Sequence, residues 1–386
     1  MRSIELFAGA GGLGIGLHGA GITPVGVIER DSYCCETIRE NQRRNVPAVR
    51  DWHIVQGDVR KIDFRHYEGQ VDLVSGGPPC QPFSMGGKHR AHKDIRDMFP
   101  EAIRAVREVH PKAFIFENVK GLTRATFRNY YQYVQLQMEH PTLVRKPGES
   151  WADHLGRLER HHTSGKREGL HYRVVTRTLN AANFGVPQRR ERVFFVGFRD
   201  DLGIAWSFPT ETHSFDSLLW EQVVETTYWE RHEVAKKQRH ITSRMRARVE
   251  GFLFKPPTLP WQTVRDALAG LPDPETDSRA PSDILNHQFQ PGARPYPGHT
   301  GSPLDEPAKT LKAGVHGVPG GENMLACPDG SVRYFSVRES ARLQTFPDEY
   351  KFHGSWTETM RQLGNAVPVM LAQCVGSTVM AQLSSV

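Results

Sequence analysis

A chain of 386 residues, of which 38% are hydrophobic and 24% charged, has room for two or three domain-sized units and a large core. It has no long apolar run and no leader-like start, which argues against a membrane-spanning class and favours a cytoplasmic protein. Five cysteines without paired spacing argue against a disulfide framework, and a net charge of +6 is compatible with a polyanionic partner.

The first half of the chain alternates short apolar runs with helical patterns, such as those at 32–44, 98–109 and 127–138. Seven runs are predicted to be strands, at 4–7, 25–28, 52–55, 71–74, 113–116, 172–179 and 192–198. Alternation at this spacing predicts a doubly wound α/β domain, with a parallel sheet covered on both faces.

Glycines at positions 9, 11, 12 and 14 follow the first strand and open a helix, so the backbone there can approach a ligand closely. Such a turn suits NAD, FAD or S-adenosylmethionine alike. The second strand ends at Glu29 and the third leads to Asp58, and these carboxylates suit ribose hydroxyls and an adenine amino group. Each acid taken alone also fits a helix N-cap. Together the three features predict a nucleoside cofactor.

Cys80 follows the fourth strand on a proline-stiffened loop, at the edge where α/β sheets place their chemistry. A free cysteine is commonly a small buried hydrophobe, but a thiol on a rigid arm also suits a nucleophile. Glu117 ends the fifth strand and is expected beside Cys80 as a general acid. The basic stretch 84–93 fits either a loop closing over a phosphate backbone or an ordinary solvated loop.

Arg190 and Arg192 alternate along the seventh predicted strand, so they are expected to share a face and to fix a base carbonyl or a phosphate. Histidines at 161, 162 and 171 have no cysteine or carboxylate at ligand spacing, so no metal site is predicted.

From position 200 to 333 the alternation stops, and a second, smaller domain is expected. Between positions 231 and 260 eight Lys and Arg residues stand against two Glu. This run fits a nucleic-acid-binding face or a solvated helix face. Further on, Ser336 with Glu339 three residues later predicts a capped helix, and residues 363–368 are expected to open a last apolar helix.

Six motifs occur along the chain in a fixed order: FAGAGG at 7–12, GPPCQPFS at 77–84, ENV at 117–119, QRRER at 188–192, RESARLQTFP at 338–347 and GNAVP at 364–368. In this order they resemble the bacterial-type cytosine-C5 DNA methyltransferases of restriction-modification systems. The resemblance runs along nearly the whole chain. It implies a Rossmann-like S-adenosylmethionine-dependent domain, with a seven-stranded, mostly parallel sheet, and a smaller target-recognition domain.

The resemblance implies a mechanism in which the Cys80 thiolate attacks C6 of cytosine and makes C5 nucleophilic. Glu117 would protonate or hydrogen-bond N3, Arg192 would hold O2, and Arg190 would support the loop or the acid. Asn118, in the same ENV motif, is included with the catalytic residues. The target base would be flipped out of the duplex.

The cofactor implied is S-adenosyl-L-methionine, with S-adenosyl-L-homocysteine as product and no metal. The resemblance carries its contacts onto Phe7, Gly9, Gly11, Leu13, Glu29, Arg30, Asp58, Val59, Pro79, Met98, Asn365 and Val367. Met98 stands where the family usually has leucine.

The partner implied is double-stranded DNA. Candidate contacts are Ser84, Lys88, Arg90, Lys236, Lys237 and Arg239. Residues 1–199 and 333–386 would form a discontinuous catalytic domain, and residues 200–332 the target-recognition domain. A monomer is expected to suffice, with a cognate restriction endonuclease as a possible companion that forms no stable complex with it.

Three other functions are alternatives for this sequence. A transfer-RNA cytosine methyltransferase shares these motifs, but its Cys-Phe-Thr signature is missing here. A catalytically silent DNA-binding regulator on the same fold would not need Cys80, Glu117 and Arg192 together. An oxidoreductase using the Gly-rich turn would leave the GPPCQPFS and QRRER motifs unexplained.

Overall fold

The computed structural model describes residues 1–79, 97–165, 169–276, 284–297, 300–313 and 321–385. Its centre is a seven-stranded sheet of order β3-β2-β1-β4-β5-β7-β6. The strands are β1 (Arg2–Leu6), β2 (Thr23–Glu29), β3 (Ile54–Gln56), β4 (Leu73–Gly76), β5 (Ala113–Val119), β6 (Tyr172–Asn180) and β7 (Glu191–Arg199). Neighbouring strands pair in parallel except β7, which runs antiparallel to β5 and β6.

Helices of the described residues cover both faces of the sheet and continue into the second half of the chain. They are α1 (Gly12–Gly19), α2 (Ser32–Arg43), α3 (Phe99–Val109), α4 (Arg128–Glu139), α5 (Trp151–Thr163), α6 (Phe215–Trp220), α7 (Thr227–Arg231), α8 (Ser243–Glu250), α9 (Val264–Leu268), α10 (Val337–Leu343), α11 (Trp356–Asn365) and α12 (Val369–Leu383).

The central strand β5 shows why the sheet is buried on both sides. Its residues Ala113, Phe114, Ile115 and Phe116 are all fully buried. Phe114 and Phe116 belong to a core cluster with residues of α3 and α4, whereas Ala113 and Ile115 belong to one with residues of α1 and α12. Because side chains alternate along a strand, a continuous apolar run here supplies two cores at once.

All seven predicted strands are confirmed, with ends that differ by three residues or fewer. The predicted helices at 32–44, 98–109 and 127–138 correspond to α2, α3 and α4. At α10 the Ser336 side chain accepts from the Glu339 backbone N–H, and the Glu339 side chain accepts from that of Ser336, which confirms the predicted cap.

The expectation that residues 363–368 open the last helix was wrong in part. Residues 363–365 end α11, and α12 begins at Val369. Pro368 lacks a backbone N–H and disfavours a helical conformation at Val367, so the chain turns between the two helices.

Glycines let α12 lie directly against α1. A Cβ at Gly12 would approach the carbonyl oxygen of Val367 to 2.4 Å, and one at Gly16 would approach that of Val369 to the same distance. Leu13 and Leu17 of α1 share the core cluster with residues of α12. The C-terminal segment thus returns to pack beside the first βα unit.

Within the described residues one stretch, Trp356–Leu383, is long and apolar enough to cross a membrane, with a mean hydropathy of 1.4. Half of its apolar window is buried inside the protein. It consists of α11 and α12, and the buried residues of α12 belong to the core shared with α1.

Between positions 200 and 336 the described chain forms small sheets and short helices. Strands β8 (His213–Ser214) and β9 (Leu259–Pro260) pair in parallel. Strands β10 (Ser302–Pro303), β11 (Met324–Ala326) and β12 (Val332–Tyr334) form a second sheet. One apolar cluster of this region is centred on Tyr228 and Trp229.

Two glycine-to-alanine substitutions test whether Gly16 is required for close helix packing, because helix propensity alone would make both substitutions stabilising. Gly16→Ala should lower the free energy of unfolding by about 1–3 kcal/mol, because its methyl group would meet Val369 and Ala372 at the α1–α12 contact. Gly156→Ala in α5 should raise it by up to about 1 kcal/mol, because the nearest atom to its Cβ is a flexible arginine tip at 3.6 Å. Urea unfolding measures both, and equal stabilisation by the two changes would contradict the close α1–α12 packing.

Candidate active site

The carboxyl ends of β1, β2, β4 and β5 meet at one edge of the sheet, and β7, being antiparallel, begins there. The register shows this directly, because Val119 at the end of β5 is paired with Arg192 near the start of β7. In α/β sheets ligands bind at this carboxyl edge. Most of the predicted site residues that the structure describes lie along it.

The Gly-rich turn between β1 and α1 bends sharply. Phe7, Gly9 and Gly11 have positive φ angles of 56°, 55° and 83°. A side chain at Gly11 would meet the ring of Trp52 at 2.9 Å, whereas one at Gly9 would meet nothing within 4 Å. Gly9 therefore borders open space, which a ligand needs in order to approach the backbone.

Glu29 at the end of β2 lies beside this open space. One carboxylate oxygen accepts from the backbone N–H of Gly9 at 2.8 Å, and the other accepts from those of Arg30 and Asp31 at 2.7 Å. Helix α2 is capped by Asp31, whose side chain accepts from Tyr33 and Cys34. Glu29 is thus not the cap of α2 but a carboxylate that ties the Gly-rich turn to the start of that helix.

Asp58 lies at the same edge after β3. Its carboxylate accepts from the backbone and guanidinium of Arg60, and this pairing lowers the pKa of Asp58 to about 2. Asp58 also caps the short helical turn Val59–Lys61. The described contacts therefore match the helix-cap interpretation of this residue. Val59 is buried in the core, and Arg30 is exposed.

The remaining cofactor candidates lie around the Gly-rich turn and the loop after β4. The backbone N–H of Met98 donates to the carbonyl of Pro79 at 3.2 Å, and the half-buried Met98 side chain packs against the core. Leu13 and Val367 are buried, whereas Asn365 at the end of α11 is exposed. Leu13 and Val367 therefore contribute mainly to packing beneath the turn.

The sequence analysis missed three residues that support the Gly-rich turn from behind. Glu5 of β1 lies against Gly14, and burial raises the pKa of its carboxyl group to about 8. The Tyr350 hydroxyl donates to the carbonyl of Ala10 at 2.8 Å, and the Trp52 ring packs on Gly11. An acid in a short apolar strand was the available signal for Glu5, whereas Trp52 and Tyr350 gave none because they are distant in sequence.

Cys80, Ser84, Lys88 and Arg90 lie outside the described residues. The loop that leads to Cys80 is described as far as Pro79. It is held by Asn118, whose side-chain amide donates to the carbonyl of Pro78 at 2.9 Å. A Cβ at Gly77 would come within 3.3 Å of a Glu117 carboxylate oxygen, so Glu117 lies directly against this loop.

Glu117 and Arg192 form a buried ion pair at this point. The Arg192 Nε lies 2.8 Å from Glu117 Oε1, and their side chains are 12% and 9% exposed. Burial raises the pKa of Glu117 against the opposing effects of Arg192 and Arg190, and burial lowers the pKa of Arg192. A carboxyl group with a raised pKa can donate a proton to a ring nitrogen of a bound heterocycle. The guanidinium beside it can donate a hydrogen bond to a neighbouring carbonyl of the same heterocycle.

The expectation that Arg190 shares a strand face with Arg192 was wrong, because β7 begins at Glu191. Arg190 is fully buried and donates to the carbonyl oxygens of Leu311, Gly364 and Ala366 at 2.6–3.0 Å. Burial lowers its pKa well below the usual value. Since its described hydrogen bonds all go to the backbone, Arg190 is a positioning residue.

Other residues of the same motifs also hold backbone rather than ligand. Gln188 accepts from the Leu311 N–H and donates to the Leu343 carbonyl. Gln344 donates to the carbonyl of Leu363. The fully buried Arg338 donates to three carbonyl oxygens, those of Leu285, Pro347 and Tyr350. The sequence motifs located these residues without indicating that their role is to join distant segments.

The predicted DNA-contacting run lies on the surface. Lys236 and Lys237 are exposed and have no ion-pair partner among the described residues. Arg239 is half-buried and donates to the carbonyl of Val234. Further along the chain, Leu253 and Phe254 are 89% and 83% exposed. Exposed cations without ion-pair partners are typical of surfaces that bind nucleic acid, and they also occur on ordinary solvated faces.

Comparison with known proteins shows which family the chain belongs to. A family profile described as C-5 cytosine-specific DNA methylase matches residues 1–140 and 164–381. The chain is 30% identical to the Type II methyltransferase M.NgoMIV of Neisseria gonorrhoeae, covering 99% of this chain and 97% of that one. It is also 30% identical to the Type II methyltransferase M.Eco47II of Escherichia coli, covering 99% and 79% of the two chains.

Solved structures share the fold. A prophage-encoded DNA modification methyltransferase of E. coli superposes with a TM-score of 0.58 at 20% identity, covering 100% of this chain and 99% of that one. The Dnmt2 methyltransferase of S. pombe superposes with a TM-score of 0.55 at 18% identity, with coverage of 100% and 99%. From the profile match and the relatives together, the chain belongs to the C-5 cytosine-specific DNA methylase family and is a DNA (cytosine-5-)-methyltransferase.

Proposed function

We propose that the protein transfers a methyl group from S-adenosyl-L-methionine to C5 of a cytosine flipped out of a specific short duplex sequence, through a covalent bond between Cys80 and C6. The observation that carries this proposal is the buried Glu117–Arg192 pair, which lies against Gly77 of the loop that leads to Cys80. The pair stands on the same sheet edge as Gly9 and Glu29.

The edge has the features that a nucleoside cofactor requires. Gly9 borders open space, and the Glu29 carboxylate next to it suits the ribose hydroxyls. Asp58 stays ionised at neutral pH because of its low pKa and suits an amino-group donor. S-adenosyl-L-methionine, when bound, supplies the electrophilic methyl group and leaves as S-adenosyl-L-homocysteine.

The residues of this chain would activate the base. The Cys80 thiolate forms a bond from Sγ to C6, and the electron pair of the C5–C6 double bond becomes available at C5. Glu117 donates to N3, and Arg192 donates to O2, so charge that develops on the ring is stabilised. After C5 is methylated, loss of its proton and cleavage of the Sγ–C6 bond restore the aromatic ring and the free thiolate.

Duplex DNA is the proposed substrate because C5 and C6 are shielded inside the base stack, and a flipped nucleotide exposes both. Residues 200–332 are the proposed target-recognition domain, with Lys236 and Lys237 at phosphates. The protein would act as a monomer in the cytoplasm, and a restriction endonuclease of the same sequence specificity would be its functional companion without a stable complex.

Base-resolution mapping of 5-methylcytosine should find methylated cytosines in one short shared sequence after incubation with unmethylated duplex DNA and S-adenosylmethionine. Cys80→Ala should abolish this methylation while leaving duplex binding largely intact, because the thiolate step is lost. Cys327→Ala, at a half-buried thiol, is the control and should keep activity. Normal turnover by Cys80→Ala would contradict the mechanism, and methylation of transfer RNA alone would favour the RNA enzyme.

Glu117→Gln should lower the single-turnover methylation rate by about 10²–10⁴ and change its pH profile. Because the pKa of Glu117 is raised, the carboxyl group keeps its proton to higher pH, and the wild-type rate should fall as pH rises through that pKa. Glutamine does not titrate, so this limb should disappear. Glu191→Gln, in an exposed pair with Lys120, is the matched control. If the fall in rate at high pH persists in Glu117→Gln, a group other than Glu117 causes it.

Replacing Lys236 and Lys237 by Gln should weaken duplex binding and reduce the slope of log K against log salt by up to about 2, since each phosphate contact contributes about 0.9. Arg44→Gln with Arg50→Gln removes the same charge from the segment that leads into the amino end of β3, away from the site. That control should leave the slope unchanged. If both variants have the same slope, the two lysines do not contact phosphates and lie on an ordinary solvated face.

A further inference from the structure

Four histidines and a glutamate that are scattered in sequence meet on the side of the sheet remote from the candidate active site. His140 directly follows α4, and Glu139 is the last residue of that helix. His161 and His162 lie in the last turn of α5. His171 directly precedes β6, and its carbonyl accepts from Asp200 after β7, which places it at the edge opposite the carboxyl ends.

The ring nitrogens of this histidine cluster, His140, His161, His162 and His171, are close enough to share an ion. His140 Nδ1 lies 2.9 Å from His171 Nδ1. The His161 ring is parallel to that of His171 and perpendicular to that of His140. One ligand atom from each of His140, His161 and His171 lies within 4.8 Å of the other two. Ligands of a tetrahedral zinc ion are about 3.3 Å apart, so small ring shifts suffice.

The second nitrogen of His140 has a partner that orients the ring. His140 Nε2 lies 3.1 Å from His162 Nδ1, which can accept its proton. Metal-ligating histidines commonly donate their other ring N–H to a neighbouring acceptor. When His140 Nε2 donates to His162, the unprotonated Nδ1 of His140 is directed toward His171.

We propose that His140, His161 and His171 bind one divalent transition-metal ion of the zinc type, with His162 as the outer residue that orients His140. Imidazole nitrogens suit zinc, copper and nickel, whereas calcium and magnesium prefer oxygen ligands. His140 is buried and the other two ligands are half-buried, which suits a closed, structural site.

The location of the site indicates what the ion would do. The family profile matches residues up to His140 and again from 164, so it leaves out 141–163, which contains α5. The site would take His140 from the chain before α5, His161 from α5 itself, and His171 from the chain after it. A metal ion would therefore fasten an inserted helix to the β6 edge of the sheet, without taking part in methyl transfer.

Metal binding by the full-length protein without a histidine tag tests this proposal. After EDTA treatment and dialysis, the protein is titrated with Zn²⁺ and, separately, with Co²⁺. We expect about one ion per chain, tetrahedral Co²⁺ absorption bands, and a rise in melting temperature of about 4 °C or more with Zn²⁺. The assay uses neither DNA nor methyl donor, so its outcome is independent of the proposed function.

The double variant His161→Gln with His171→Gln should bind at least 100-fold more weakly and lose the Zn²⁺-dependent rise in melting temperature. The matched control is His53→Gln with His66→Gln, two exposed histidines on the β3 side of the sheet, and it should bind as the wild type does. Unchanged binding in the His161/His171 variant would overturn the proposal. If that variant does not fold, the titration of the wild-type protein is the test. Absorption bands typical of aqueous Co²⁺ alone, or the absence of stoichiometric zinc binding, would overturn the proposal.

Discussion

A buried guanidinium, that of Arg190, links segments on which the candidate site depends. It donates to the carbonyls of Leu311, Gly364 and Ala366, which are 121 to 176 positions away in sequence. A buried charge is costly unless it is hydrogen-bonded, and these three carbonyls satisfy both terminal nitrogens of Arg190, whereas its Nε has no partner among the described residues. Arg190 also lies two residues before Arg192, and this anchoring therefore sets the start of β7 beside Glu117.

The same assembly brings the C-terminal helices against the first βα unit. Glycines at 12 and 16 allow the backbone near Val367 and Val369 to approach α1 closely. Tyr350, in the same part of the chain, donates to Ala10 within the Gly-rich turn. The proposed cofactor site is thus built from both ends of the chain, and its geometry depends on α1–α12 packing.

Burial of ionisable groups gives the site its chemical character. Glu117 and Arg192 are removed from water together, which raises the pKa of the acid and lowers that of the base. Glu5, behind the turn, has a pKa of about 8 for the same reason. By contrast, the half-buried Asp58 accepts hydrogen bonds from Arg60, and these lower its pKa. The pKa values of two carboxyls on one edge are therefore displaced in opposite directions, as acid and acceptor roles require.

The sequence by itself determined the strands, the main helices of the first half and the sheet edge that carries Glu29, Asp58 and Glu117. These follow from local apolar periodicity and from turn residues, which act over a few positions. Only the tertiary structure decided the role of Arg190 and the pairing of Glu117 with Arg192. It alone gathered His140, His161 and His171 into one cluster, because these contacts join residues that no local pattern relates.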